Sequence, residues 1–135
     1  MENNIKLLDG SMSYPLELDG YNLNNRLWTG DALINNPELI KKIHKGYINS
    51  GADYLLTSTY QISYDILREK GINSEKIKEV FQKSLDLAKN AIMESKTKKD
   101  IKIVASLGPF ASYKKNASEY VLSLIHISEP TRLAT

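Results

Sequence analysis

The sequence has no cysteine among its 135 residues, so disulfides, thiol nucleophiles and thiolate metal sites are excluded for the chain as given. It has no run of about 18 uncharged apolar residues, and its start, Met1-Glu2-Asn3-Asn4, lacks the basic and apolar regions of a signal peptide. A soluble cytoplasmic protein with no membrane partner is the expectation. An excess of one charge is also missing: 18 Lys and Arg stand against 16 Asp and Glu, and the net +2 is spread along the chain. Nucleic acid is therefore not an expected partner. With only 7 Gly and 4 Pro, collagen and low-complexity sequence are excluded. Hydrophobic residues at 41% and charged residues at 25% suit a single domain around one core.

What is present alternates. Ile5 to Leu8 is a short apolar stretch closed by Asp9-Gly10-Ser11, which predicts a strand running into a turn. Met12 to Asp31 is mixed in period and broken by Pro15, Gly20 and Gly30, which predicts an irregular connection with one short helical piece. Asn36-Pro37-Glu38 is a helix start, with Asn as cap and Pro in the first turn. Leu39, Ile40, Ile43, Tyr47 and Ile48 then follow helical spacing up to Gly51. Ala52 to Thr59 predicts a buried strand ending in hydroxyls. Tyr64 to Lys70 predicts a short helix stopped by Gly71. Asn73-Ser74-Glu75 caps a longer one with Ile77, Val80, Phe81, Leu85, Ala88 and Ile92 on one face. Lys96 to Asp100 reads as a solvated linker before a third strand, Ile101 to Leu107, which ends at Gly108-Pro109.

Strand, helix, strand, helix, strand in this order implies a parallel α/β sheet with helical crossovers. In such folds ligands gather at the carboxyl ends of the strands, where loops vary over a fixed sheet. Three polar clusters occupy those ends: Asp9-Gly10-Ser11, Thr57-Ser58-Thr59-Tyr60-Gln61, and Ser106 through Pro109.

At the same clusters the sequence resembles the homocysteine S-methyltransferase family of the S-methylmethionine or S-adenosylmethionine-dependent kind. The matching stretches are LLDGSM at Leu7 to Met12, LNNRLWT at Leu23 to Thr29, NPELIKKIHKGYINSGADYLLTSTYQIS at Asn36 to Ser63, SLGPFASY at Ser106 to Tyr113, and SEY at Ser118 to Tyr120. The resemblance implies the N-terminal part of a (β/α)8 barrel, a fold that takes about 250 residues when whole. It implies homocysteine and a sulfonium methyl donor as partners. It also implies zinc in the full-length protein, bound by three Cys in the C-terminal half that this chain does not contain. A metal-held thiol is deprotonated and nucleophilic. By the same resemblance Asp9 is expected to engage the amino acid's ammonium group, Gly10 and Ser11 to offer backbone groups near its carboxylate, and Thr57 to stand near the substrate. With the Cys ligands and a later glutamate missing, this chain alone is expected to be inactive, with no catalytic or metal-binding residue of its own.

From Leu122 the chain reads LSLIHISEPTRLAT, which has no counterpart in the family and resembles translated sequencing-adapter DNA. Residues 1–121 are accordingly read as the barrel portion and 122–135 as a non-family tail on a truncated gene. Several residues carry plainer readings. Thr59 reads as a β-former, and His44 as a surface or packing residue without ligand partners at the right spacing. Trp28 and Tyr60 read as core or rim aromatics, Tyr60 being an outside candidate for the pocket. The rival to the enzyme is a non-catalytic α/β module that binds a small amino acid or a partner chain at the polar strand ends.

Overall fold

The computed structural model describes residues 5–108. Pro109, most of the SLGPFASY stretch, the SEY match and the division at Leu122 lie outside the described residues. In chain order the elements are α1 (Ser13–Leu18), α2 (Thr29–Asn35), α3 (Pro37–Asn49), β1 (Tyr54–Leu56), α4 (Tyr64–Glu69), α5 (Ser74–Ser95) and β2 (Lys102–Val104).

β1 and β2 pair in parallel, with Leu55 opposite Ile103. The first apolar stretch lies on the other side of β1 but forms a single parallel bridge, Leu8 to Tyr54, instead of a full strand. Its pairing is carried by the Asp9 N–H donating to the Tyr54 carbonyl at 3.0 Å and by the Leu7 carbonyl accepting from Asp53 and Tyr54 at 2.8 and 3.0 Å. The Asp53 side chain takes the Leu7 N–H at 2.9 Å, a place that a backbone carbonyl would fill in a longer ladder. Three parallel segments in the expected order are therefore present, each shorter than the apolar run that encodes it. The parallel α/β class is as read from the sequence; the described residues do not extend to a closed barrel.

Two expectations about the helices are corrected. The connection from Met12 to Asp31 carries two short helices, because Thr29 to Asn35 coils ahead of Pro37. Asn36 does not cap α3 with its side chain. It serves as the end of α2 and the start of α3 at once, its N–H donating to the Ala32 carbonyl and its own carbonyl accepting from Leu39. Pro37 in the first turn, which needs no N–H, and Glu38 at the positive helix end supply the start instead. Asn73 does cap α5, its side chain accepting from the Lys76 N–H at 2.9 Å. Gly51 closes α3 at φ +102°, a conformation that side-chain-bearing residues rarely adopt.

Behind the sheet α3 and α5 pack side by side. One core cluster gathers Leu16, Leu27, Leu33, Ile40, Ile66, Leu67 and Ile77 among the helices. A second sets Ile48, Leu55, Ala88, Ala91 and Ile101 between sheet and helices. Leu55 is fully buried, and burying one leucine is worth about 1.5–3 kcal/mol. Lys41 and Lys45 of α3 both reach Glu94 of α5, at 2.9 and 3.1 Å, and these lysines hold the Glu94 carboxyl below its ordinary pKa. Pairs of this kind at the protein surface add little to stability. No helix among the described residues is long and apolar enough to cross a membrane.

The candidate amino-acid site

The carboxyl ends of the three parallel segments open into one cleft of about 270 Å³. Asp9, Gly10, Ser11 and Thr57, the four residues expected to bind substrate, all line it. Trp28, Thr29, Ser58, Tyr60, Gln61 and Ser106 complete most of the wall. Asp9 is its one charged residue, and no Lys, Arg or His faces it among the described residues.

Asp9 enters the cleft because the chain leaves the sheet one residue after Leu8. Its Oδ2 accepts the Leu56 N–H at 3.0 Å, which ties the carboxylate to the end of β1. Its Oδ1 is buried and has no partner. Burial pushes the Asp9 carboxyl above its ordinary pKa, and the Leu56 hydrogen bond offsets only part of that. An ionised carboxylate with one vacant oxygen in a cleft without cations is a site for an incoming positive group.

The turn after Asp9 is held from two sides. The Tyr47 hydroxyl, from α3, donates to the Ser11 carbonyl at 2.6 Å. The Ser11 hydroxyl lies 2.7 Å from that of Ser13 and accepts the Ser13 N–H at 3.2 Å, joining the turn to the start of α1. A Cβ at Gly10 would stand 2.9 Å from the Tyr47 hydroxyl oxygen and 3.1 Å from its ring, so one of the two must give way. Gly10→Ala should therefore displace either Tyr47 or the turn and cost about 1–3 kcal/mol. Urea unfolding of the variant checks this, and an unchanged midpoint would contradict it.

Thr57 and Thr59 form a latch that the sequence reading did not anticipate. The Thr59 hydroxyl donates to the Ser106 carbonyl at 2.6 Å, which uses its only hydrogen. The Thr57 hydroxyl must then donate to Thr59 Oγ1 at 2.8 Å, while it accepts the Ser106 N–H at 2.9 Å. The ring of three bonds ties the end of β1 to the segment after β2. Thr59 is thus not merely a β-former, and Thr57 has no hydroxyl hydrogen left for a ligand. Thr59→Val removes the link at nearly constant shape and strands the Ser106 carbonyl, an expected loss of about 1–3 kcal/mol. Faster amide exchange at Ser106 than in the parent is the readout; unchanged exchange would contradict the latch.

The remaining aromatics divide as follows. Trp28 lines the cleft and adopts φ +48°, ψ −121° at the start of α2, a strained position of the kind that costs about 1–3 kcal/mol. Tyr60 lines the cleft and is also part exposed. His44 is fully buried, so it is a packing residue and not a surface one. Sequence reasoning picked out the polar cluster after β1 but not Ser58 and Gln61 within it. Residues 58–61 form a turn, so strand alternation does not apply and both side chains reach the cleft. Tyr47 shares the apolar helical spacing of α3, and nothing in that spacing marks the hydroxyl.

Residues 6–132 match the homocysteine S-methyltransferase family. The homocysteine S-methyltransferase of Escherichia coli K12 is 33% identical over 123 residues, covering 88% of this chain and 40% of the relative. Homocysteine S-methyltransferase YbgG of Bacillus subtilis is 33% identical over 121 residues, covering 84% and 38%. Among solved structures, the metallated form of the homocysteine methyltransferase MmuM from Escherichia coli superposes with a TM-score of 0.79 at 29% identity, over 98% of this chain and 50% of that one. The chain therefore spans two fifths to half the length of these relatives. By the family match over most of its length, together with these relatives and the shared fold, the chain belongs to the homocysteine S-methyltransferase family.

Proposed function

We propose that this segment is the amino-acid-binding part of an enzyme that moves a methyl group from a sulfonium donor, S-methylmethionine or S-adenosylmethionine, to the sulfur of homocysteine. The donor's S–CH3 bond breaks, its sulfonium becomes a thioether, a new S–CH3 bond makes methionine, and the thiol proton is released. Asp9 Oδ1 accepts from the homocysteine ammonium, and backbone groups at Gly10 and Ser11 receive its carboxylate. Thr57 works through its latch to Thr59 and Ser106, holding the rim of the cleft in place. The single observation that carries this reading is the buried, half-satisfied carboxylate of Asp9 in a cleft that no basic residue lines among the described residues.

Zinc, which the family resemblance implies, would hold the sulfur as thiolate. This chain's own residues do not fit it: there is no cysteine, and no three His, Cys, Asp or Glu side chains gather among the described residues. No step above runs through a metal. The reading accordingly locates the thiolate ligands and the closure of the barrel in sequence outside this chain. Exposed Leu7, Leu8 and Val104 along the short sheet favour a sheet that continues. The same reading keeps residues 1–121 as the barrel portion, although the family match runs on through residue 132, and places the enzyme in the cytoplasm. The test is methionine formation from homocysteine and either donor. The complete protein that carries this segment should form it, and the 135-residue chain alone should neither form it nor hold stoichiometric zinc. A complete protein inactive with both donors would refute the proposal.

A further inference from the structure

Three buried side-chain oxygens in the described residues have no hydrogen-bond partner: Asp9 Oδ1, Ser58 Oγ and Gln61 Oε1. All three belong to residues that line the cleft at the carboxyl ends of the parallel segments. The other unpartnered buried atoms are the two ring nitrogens of His44, within the helical layer. A buried oxygen without a donor carries a desolvation penalty, and folded proteins leave few of them. Three such oxygens on residues that line the same cleft are groups that a ligand seated there would complete.

The chemistry of that ligand follows from the set. A carboxylate oxygen and an amide oxygen can only accept, and a serine hydroxyl turns to suit its neighbours. A carboxylate or phosphate placed against this wall meets lone pairs and a negative charge. A positively charged group meets acceptors, whether it presents N–H bonds or the polarised C–H bonds beside a cationic centre.

We propose that Ser58 Oγ and Gln61 Oε1 join Asp9 Oδ1 in an acceptor wall for an onium group, with Gln61 setting which cationic substrate is taken. The inference rests on the methyl-transfer reading above, which supplies two such groups: the ammonium of homocysteine and the sulfonium of the donor. Both share the chemistry the wall recognises.

The experiment compares Gln61→Leu, Gln61→Glu and Ser58→Ala in the complete protein, reading KM separately for homocysteine and for S-methylmethionine, with urea midpoints as a folding control. Gln61→Leu should raise one KM about tenfold or more while kcat stays within about twofold. Gln61→Glu should lower that same KM below the parent's, because a carboxylate beside a cation binds more tightly than an amide. An effect on homocysteine assigns Gln61 to the ammonium, and an effect on S-methylmethionine assigns it to the sulfonium. Ser58→Ala, which removes only one atom, should raise a KM in the same direction with an unchanged midpoint. The inference is overturned if both KM values stay within about twofold of the parent in Gln61→Leu and Ser58→Ala, or if Gln61→Glu weakens both substrates as Gln61→Leu does. A parent that forms no methionine would instead bring down the methyl-transfer reading itself.

Discussion

In the complete protein, replacing Asp9 with asparagine should weaken homocysteine binding by about 1.5–3 kcal/mol, roughly 10- to 150-fold, because the ammonium group loses the one charged side chain that the described residues bring to the cleft. Asparagine keeps an oxygen for the Leu56 N–H, so the turn should survive. The pH dependence has a defined sign. Burial raises the Asp9 carboxyl from its ordinary 3.8, so the folded chain holds that proton more tightly than the unfolded one. Stability contributed at this residue is full below 3.8 and declines as pH rises through the raised value, where ionisation leaves Oδ1 charged and unpartnered. Binding runs the opposite way, since only the ionised form attracts the ammonium. Asp9→Asn should therefore leave the free protein no less stable at neutral pH while losing homocysteine affinity. Calorimetric titration with homocysteine, paired with urea unfolding, reads both. Equal affinity in variant and parent would remove Asp9 from the site.

A second large effect is expected away from the cleft. His44 lies fully buried in α3 with neither ring nitrogen partnered, and burial lowers its pKa from 6.5 to about 4. The unfolded chain takes up this proton near 6.5 and the folded chain only near 4, so stability is full above that window and is lost as pH falls through it. The full loss is about 3 kcal/mol, of which about 2 has gone by pH 5. His44→Leu should abolish this dependence and be at least as stable as the parent at pH 7, because no unpartnered nitrogens remain. Urea midpoints at pH 7 and pH 5 decide it. An equal loss in parent and variant between those values would show that His44 is not the group responsible.

The fold was legible where local chemistry acts alone. Pro37 and Glu38, the Asn73 cap, and the apolar faces of α3 and α5 each encode a helix without reference to the rest of the chain. Strand lengths were not legible, because Ile5 to Leu8 reads as a strand yet Asp53 takes the Leu7 N–H and pairing stops at one bridge. The second short helix was missed for a related reason, since Gly30 inside Thr29 to Asn35 reads as a breaker but is buried against Ile62. Of the candidate site, the polar strand ends meet in one cleft, and the four residues expected to bind substrate all line it. The Thr57–Thr59–Ser106 latch and the Tyr47 contact depend on residues 36 to 49 positions apart meeting in space. Composition and period carry no trace of that.

The account stands on the claim that the vacant oxygen of Asp9 receives the amino group of homocysteine. The most direct measurement is a crystal structure of the complete protein with homocysteine bound. The account predicts the ammonium nitrogen within hydrogen-bond distance, about 2.7–2.9 Å, of Asp9 Oδ1, with the amino acid's carboxylate against the Gly10-Ser11 turn. Homocysteine bound with its ammonium away from Asp9, or with its carboxylate against the Ser58 and Gln61 oxygens, would contradict it.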